Sequence, residues 1–191
     1  ALAFYAIAEQ QCARPRRALR LFNQSRLLFE EEQNSVWTGL IDLYKALLLF
    51  GMQRHGEAEQ LCVAALESFK QVSLMGKAAI CELLLARIRL AHKDTAGARQ
   101  ACGRALEKIG TLEVPALEYQ GWFVAGQIEE AAGDGATALS CFCRADESLE
   151  HLRSRLAGEE LKISFLKDKL EVYERLVRLH LLQAGSPQDS H

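Results

Sequence analysis

The sequence predicts an all-α protein in which four helix pairs stack as an α-α superhelix, with one long helix after them. One observation is a signature of the form small-x3-apolar-x2-small, which returns at a constant period of forty positions and begins at Ala18, Ala58, Ala98 and Ala138. Another is a small residue, called the anchor below, twelve positions before each signature, at Ala6, Ala46, Ala86 and Gly126. Steps of three and four place the signature residues on one helical face, where small side chains let two helices cross closely. A constant period of roughly 20–50 residues is typical of stacked repeats.

Breaks between apolar stretches set the predicted boundaries in chain order. Pro15 fits the first turn of the second helix, because proline lacks the N–H that would be unpaired there. Asn34 is the predicted N-cap of the third helix, Gly110 the predicted end of the sixth, and Gly133 lies in the last predicted turn. The predicted ranges are 1–31, 34–72, 73–110 and 114–155 for the helix pairs, 159–183 for a C-terminal capping or link helix, and 184–191 for a disordered tail.

Apolar content differs between the predicted helices. The helix from Val36 to Phe50 is apolar on nearly all sides, so it has to be covered on all sides or has to present part of its surface to a partner. In the helix before it, we expect Leu19, Phe22 and Leu27 to point inward. After Gly158, apolar residues at steps of three and four predict one amphipathic helix that covers the end of the array.

The fourth repeat resembles the tetratricopeptide (TPR) family. In that family, Trp-x2-Leu-Gly lies in the first helix of a repeat, and Ala-x3-Phe followed by a further Ala lies in the second. This chain has Trp122-x2-Ala125-Gly126 and then Ala138-x3-Phe142-x2-Ala145. The period of forty positions exceeds the family's usual value of about 34 and indicates longer helices. The resemblance implies a TPR-like solenoid that acts as a non-enzymatic scaffold for protein–protein interactions.

The TPR resemblance also implies a binding groove. In TPR proteins the first helix of each pair commonly lines a concave groove that receives an extended or helical peptide. The matching positions lie three before, one after and four after each anchor, and they are Leu43, Leu47, Phe50, Leu83, Arg87, Leu90, Phe123, Gln127 and Glu130. An apolar groove with Arg87 and Glu130 as orienting charges suits a hydrophobic peptide or helix. In helices this long, several of these side chains could instead belong to the core between repeats, and both interpretations stay open here.

A narrower resemblance concerns residues 165–177, which are similar to the link helix that follows TPR arrays in bacterial proteins ending in a caspase-like CHAT peptidase domain. This resemblance implies that the chain is the regulatory or recognition part of a larger cysteine peptidase, whose catalytic residues would lie beyond Gly185. One alternative is the sensor array of a signalling ATPase or transcription regulator. Another is self-association through the second repeat or the terminal helix. Because the chain begins with Ala1, we expect it to be a piece of a larger protein.

Composition and motifs exclude several classes of function. The net charge of −2 gives no general attraction to nucleic acid or to an anionic membrane, and no apolar run is long enough to span a bilayer. The six cysteines are dispersed in a chain too long for a disulfide-stapled miniprotein, so we expect buried free thiols and a cytoplasmic protein.

Motifs for catalysis and metal binding are also missing from the sequence. It contains no phosphate-binding loop, no His-Glu-x2-His and no Gly-x-Ser-x-Gly. Cys141 and Cys143, two apart on a helix, point to nearly opposite sides. We therefore predict no enzymatic activity, no catalytic residue, no metal and no cofactor, and a protein or peptide as the partner.

Overall fold

The computed structural model describes residues 1–154 and 170–184, and every regular element in these residues is a helix. The described helices are α1 (Leu2–Gln11), α2 (Pro15–Glu31), α3 (Ser35–Gly51), α4 (His55–Gln71), α5 (Met75–Ala91), α6 (Thr95–Gly110), α7 (Pro115–Ala132), α8 (Gly135–Ser154) and α9 (Leu170–Ala184). The predicted all-α fold is confirmed. Of the predicted terminal helix, residues 159–169 lie outside the described residues, and so does the predicted tail from residue 185 onward.

Each of the seven turns that join α1 to α8 contains one residue with positive φ. A residue with positive φ occurs at every twentieth position, and these residues are Ala13, Gln33, Gln53, Ser73, Lys93, Glu113 and Gly133. At Gln53, the N–H of the next residue, Arg54, donates to the carbonyl of Leu49 at 2.9 Å, and the N–H of Gln53 donates to the carbonyl of Phe50 at 3.0 Å. These two bonds form a Schellman motif, which satisfies carbonyls at the helix end. The positive-φ turn residues therefore recur every twenty positions, which is half the forty-residue period of the signature.

The chain divides into two compact units, of which unit 1 comprises residues 1–94. Here α1 packs on α2 and α3 packs on α4, and α2 and α4 also pack on the helices that follow them. The anchors Ala6 and Ala46 are fully buried, as are Ala18 and Phe22 of the first signature. One cluster of buried residues joins three helices of the unit and contains Ala3, Ala6, Ala18, Phe22, Ile41 and Leu48.

Unit 2 starts at Thr95, and its described residues are 95–154 and 170–184. In this unit α6 packs on α7, α7 pairs with α8, and α9 packs on α8. The anchor Gly126 lies directly against Phe142, because a Cβ atom added at Gly126 would lie 2.5 Å from Cε1 of that ring. The close helix crossing expected at the small residues is therefore present in the fourth repeat.

Most of the local signals in the sequence mark true helix ends. Pro15 is the first residue of α2, and the Asn34 side chain accepts a hydrogen bond from the N–H of Trp37 at 3.2 Å. Gly133 caps α7 in the left-handed conformation. The expectation for Leu27 is wrong, since this side chain is 60% exposed. Leu27 lies two residues after the buried Ser25, and two helical steps of about 100° turn it away from the core.

Candidate functional site

The predicted groove positions of unit 1 divide between core and surface. Leu43 on α3 and Leu83 on α5 are buried among the core residues. Leu47 and Phe50 on α3 and Leu90 on α5 are half-buried, and Arg87 on α5 is exposed. We call the surface formed by Leu47, Phe50, Arg87 and Leu90 the α3–α5 face. The two helices contact each other directly, so these four side chains share one part of unit 1.

A row of ring and guanidinium contacts runs from the α3–α5 face into the neighbouring turns. The guanidinium carbon of Arg87 lies 4.8 Å from the centre of the Phe50 ring, a cation–π distance. Phe50 stacks on His55 with ring centres 5.2 Å apart. His55 in turn meets His92 edge-on, with ring centres 5.5 Å apart. The contacts hold the Phe50 ring in place between a cation and an imidazole.

The sequence alone did not indicate that His55 and His92 are neighbours. They lie far apart along the chain and have no spacing typical of metal ligands. His55 is the first residue of α4, and His92 directly follows α5. Because α4 and α5 pack as consecutive helices of opposite direction, the start of one lies beside the end of the other. The signal that could have found the pair is the regular spacing of the turns, which places both residues at the same end of unit 1.

In unit 2, the three predicted groove residues Phe123, Gln127 and Glu130 are half-buried, and all three meet α9. Glu130 accepts hydrogen bonds from Arg175 and from Arg178. The side-chain amide of Gln127 donates to Glu171 at 3.4 Å. The guanidinium carbon of Arg175 lies 5.7 Å from the Phe123 ring centre. We call this surface of α7 and α8 the α9-binding face.

Apolar side chains of α9 also pack against α8. Val172 and Leu179 are buried, and Leu179 belongs to a cluster with Ala138 and Phe142 against which Leu176 packs. On the other side of the helix, Val177 and Leu181 are 59% and 68% exposed. The helix is therefore covered along one side.

Tyr173 of α9 lies near the carboxylates of Asp146 and Glu150 on α8. Burial, followed by the nearby Asp146 carboxylate, raises the pKa of Tyr173 to about 12. Burial also raises the pKa of Asp146, although a hydrogen bond from Tyr173 opposes the shift. Both shifts arise because the contact removes these groups from water.

Buried thiols form part of the core. Cys62 donates its S–H to the carbonyl of Cys81 at 3.2 Å, and Cys102 donates to the carbonyl of Gly121 at 3.6 Å. Burial raises the pKa of Cys102 to about 12, and the Cys81 thiol together with burial raises the pKa of Cys62. Thiols with raised pKa values are poor nucleophiles, so these two act as small apolar residues that fill the core.

The described part of the chain offers neither a metal-ligand cluster nor a membrane-spanning helix. In residues 1–154 and 170–184, no three or more histidine, cysteine or acidic side chains are grouped so that they could hold a metal ion. Cys141 is buried and Cys143 is exposed, so their side chains lie on different sides of α8. Within the same residues, each helix is too short or too polar to cross a bilayer.

Solved structures of other repeat proteins resemble this chain. BtubC (BKLC) from P. vanneervenii has a TM-score of 0.71 at 20% identity, with 82% of this chain covered. This chain spans 65% of the length of BtubC. A Podosopora anserina protein named for kinesin light chain and for nearly identical TPR-like repeats has a TM-score of 0.63 at 14% identity, covering 99% of this chain and 96% of its own. A single-substitution variant of that protein gives 0.64 at 14% identity, covering 96% and 93%.

These likenesses show that the chain has a TPR-like helical repeat fold. No protein-family model matches the chain, and no curated protein sequence matches it. The α3–α5 face and the α9-binding face are the candidate contact surfaces of this helical repeat fold.

Proposed function

We propose that this chain is a protein-interaction module, and that unit 1 binds a peptide or a helix on the α3–α5 face. The observation that carries the proposal is that Leu47, Phe50 and Leu90 are partly exposed on two contacting helices, beside the exposed Arg87. Clustered apolar side chains on a surface are typical of a protein-binding site.

The chemistry of the α3–α5 face defines the kind of partner. Leu47, Phe50 and Leu90 offer apolar area to side chains of a bound segment, and Arg87 adds a positive charge at the edge of that area. An amphipathic helix or an extended peptide with regularly spaced apolar residues fits such a surface, because its apolar side enters the contact and its polar side stays in water. The stacking of Phe50 on His55 reduces the freedom that Phe50 would lose on binding.

Selection from a random peptide library, followed by affinity measurements on paired variants, tests this proposal. Peptides are selected on the full chain, and their affinities for the wild type and for Leu47→Asp/Leu90→Asp are measured by fluorescence anisotropy. The matched control is Val63→Asp/Val72→Asp, which adds the same two charges at exposed positions of α4 and the turn after it. We expect the first variant to lose affinity by about tenfold or more and the control to keep it, because apolar residues at the centre of a contact carry most of its energy.

Two results would contradict the proposal. One is equal binding of the selected peptides by both variants, and the other is a collapse of helical circular dichroism in Leu47→Asp/Leu90→Asp alone. The second result would assign these positions to the core between repeats.

A second proposal concerns the protein to which the repeats belong. We propose that they form the regulatory or recognition region of a larger bacterial protein with a CHAT-type peptidase domain. The similarity of residues 165–177 to a link helix supports this, and the described part of that segment, from Leu170 onward, is helical and packs on α8. The reading frame beyond His191 tests it: a domain with paired histidine and cysteine supports the peptidase, whereas a DNA-binding domain or an ATPase identifies a sensor array instead.

A further inference from the structure

The contacts of α9 define a recognition pattern for the α9-binding face. Besides Glu171, which contacts Gln127, and Tyr173, which contacts Asp146, five side chains of α9 are directed at α7 and α8. These five are Val172, Arg175, Leu176, Arg178 and Leu179. In sequence they read apolar-x2-Arg-Leu-x-Arg-Leu, so the apolar members follow steps of four and three. This is the spacing by which an amphipathic helix presents one side to a groove.

Two arginines of α9 bring positive charge to this contact. Arg175 and Arg178 both pair with the single carboxylate of Glu130, and Arg175 also approaches the Phe123 and Phe142 rings. Glu130 is 20% exposed, so water reaches the pairs. Ion pairs with access to water hold an element in register but add little stability. The apolar contribution comes from one side of the helix, since Val177 and Leu181 on the other side are exposed.

In the described residues, α9 contacts the rest of unit 2 along one side, and a short helix gains most of its order from such packing. The two helices that α9 packs on, α7 and α8, do not depend on α9 in the same way, because they cross each other at the buried residues Gly126 and Phe142. The α9-binding face can therefore persist when α9 leaves it.

We propose that α9 is an exchangeable helix bound within its own chain, and that a basic amphipathic helix of a partner with the same Arg-Leu-x-Arg-Leu pattern replaces it on the α9-binding face. Glu130 selects the arginine pair of the incoming helix, and Phe123 with Phe142 receives its arginine and leucine side chains. The inference rests on the proposed interaction function but uses unit 2 alone, so its test and the unit 1 peptide selection fail independently.

The probe is a fluorescein-labelled peptide with the sequence of residues 170–184, added to full-length protein. In Arg175→Glu/Arg178→Glu, the two substitutions turn the attraction to Glu130 into repulsion and free the face. The matched control is Arg16→Glu/Arg20→Glu, which makes the same charge change at exposed positions of α2 in unit 1. We expect the peptide to bind the first variant about tenfold or more tightly than it binds the wild type or the control, because an occupied face lowers apparent affinity.

One peptide variant and one protein variant distinguish specific recognition from nonspecific binding. A peptide in which both arginines are replaced by glutamine should bind several-fold more weakly, because each water-accessible ion pair contributes only modestly. Adding Glu130→Arg to Arg175→Glu/Arg178→Glu restores opposite charges, so α9 should return to the face and exclude the peptide. Equal peptide binding by the wild type and Arg175→Glu/Arg178→Glu would overturn the proposal.

Hydrogen exchange measured on the wild-type protein tests whether α9 leaves the α9-binding face, even if a variant fails to fold. Amides of α9 should exchange faster than those of α8, and excess peptide should accelerate exchange in α9 while leaving α8 unchanged. Exchange of α9 at the same rate as α8, with no response to the peptide, would show that α9 is an integral part of the repeat core and would refute the inference.

Discussion

In unit 1, the positions one and four residues after the anchor of α3 carry Leu47 and Phe50, whereas the same positions of α7 in unit 2 carry Gln127 and Glu130. The apolar pair lies on a surface beside Arg87 of the neighbouring helix. The polar pair is held by α9 through charged and amide groups. Identical positions on a repeated backbone therefore carry partly exposed apolar side chains in unit 1 and polar side chains covered by another helix in unit 2.

The two units also differ in how they hold a carboxylate. Asp42 in unit 1 is 3% exposed and accepts a hydrogen bond from Arg26 at 2.7 Å. This contact raises the pKa of the Arg26 guanidinium, mainly through the hydrogen bond to Asp42. In unit 2, Glu130 and Arg175 keep access to water.

The largest expected effect on stability comes from removing the arginine partner of the buried carboxylate of Asp42. Arg26→Leu should lower the free energy of unfolding by about 2–4 kcal/mol, because it leaves the buried Asp42 carboxylate without its main partner. Arg175→Leu, at the water-accessible pair, should lower it by about 1 kcal/mol or less. Urea titrations of both variants measure the two values. Losses of equal size would mean that burial does not distinguish the two carboxylates.

A substitution at the anchor of unit 2 has the next largest effect. Gly126→Ala gives unit 2 the anchor residue that unit 1 has at Ala46, but the new Cβ would overlap the buried Phe142 ring. We expect a loss of about 1–3 kcal/mol in the free energy of unfolding from this overpacking. The control is Gly103→Ala, where the new Cβ meets no atom within 4 Å and where replacing a helical glycine should stabilise by about 0.5–1 kcal/mol. A neutral Gly126→Ala would show that the α7–α8 crossing relaxes freely.

The smallest expected effect concerns the turns, where unit 1 has Gln53 at φ 61° and unit 2 has Gly133 at φ 84°. Gln53→Gly should stabilise by about 0.5 kcal/mol, since glycine adopts this region without a Cβ clash but loses more chain entropy on folding. Gly133→Ala should destabilise by about 1 kcal/mol for the converse reason. Thermal unfolding measures both, and opposite signs would indicate that the entropy loss outweighs the strain.

Helix positions could be predicted from the sequence because small residues recur at a fixed period and because Pro15, Asn34 and Gly133 mark helix ends. The signature residues Ala18 and Phe22 are buried as expected, since close crossings demand small or apolar residues at fixed spacing. The turn conformation could not be predicted in the same way. Among the described residues, six of the seven with positive φ are not glycine, so composition does not mark them.

The candidate sites were harder to predict than the helices. Leu43 and Leu83 satisfy the family's groove spacing but are buried, because α3 and α5 are covered on more sides than a helix at an open groove. The contact of Glu130 with Arg175 joins residues 45 apart in the chain, outside the register of the signature. Local periodicity carries no information on such a pair, which forms only when α9 packs on the repeat before it.

The regular spacing of the turns has a consequence for how such a chain changes length. The turns recur every twenty positions, whereas the anchor and the signature each recur only every forty positions. Duplication of a single helix and its turn would continue the backbone path, yet it would place two helices of the same kind side by side and bring large residues to a crossing that needs small ones. Duplication of two helices preserves both registers. Two helices are therefore the smallest unit whose duplication keeps both the turns and the crossings in register.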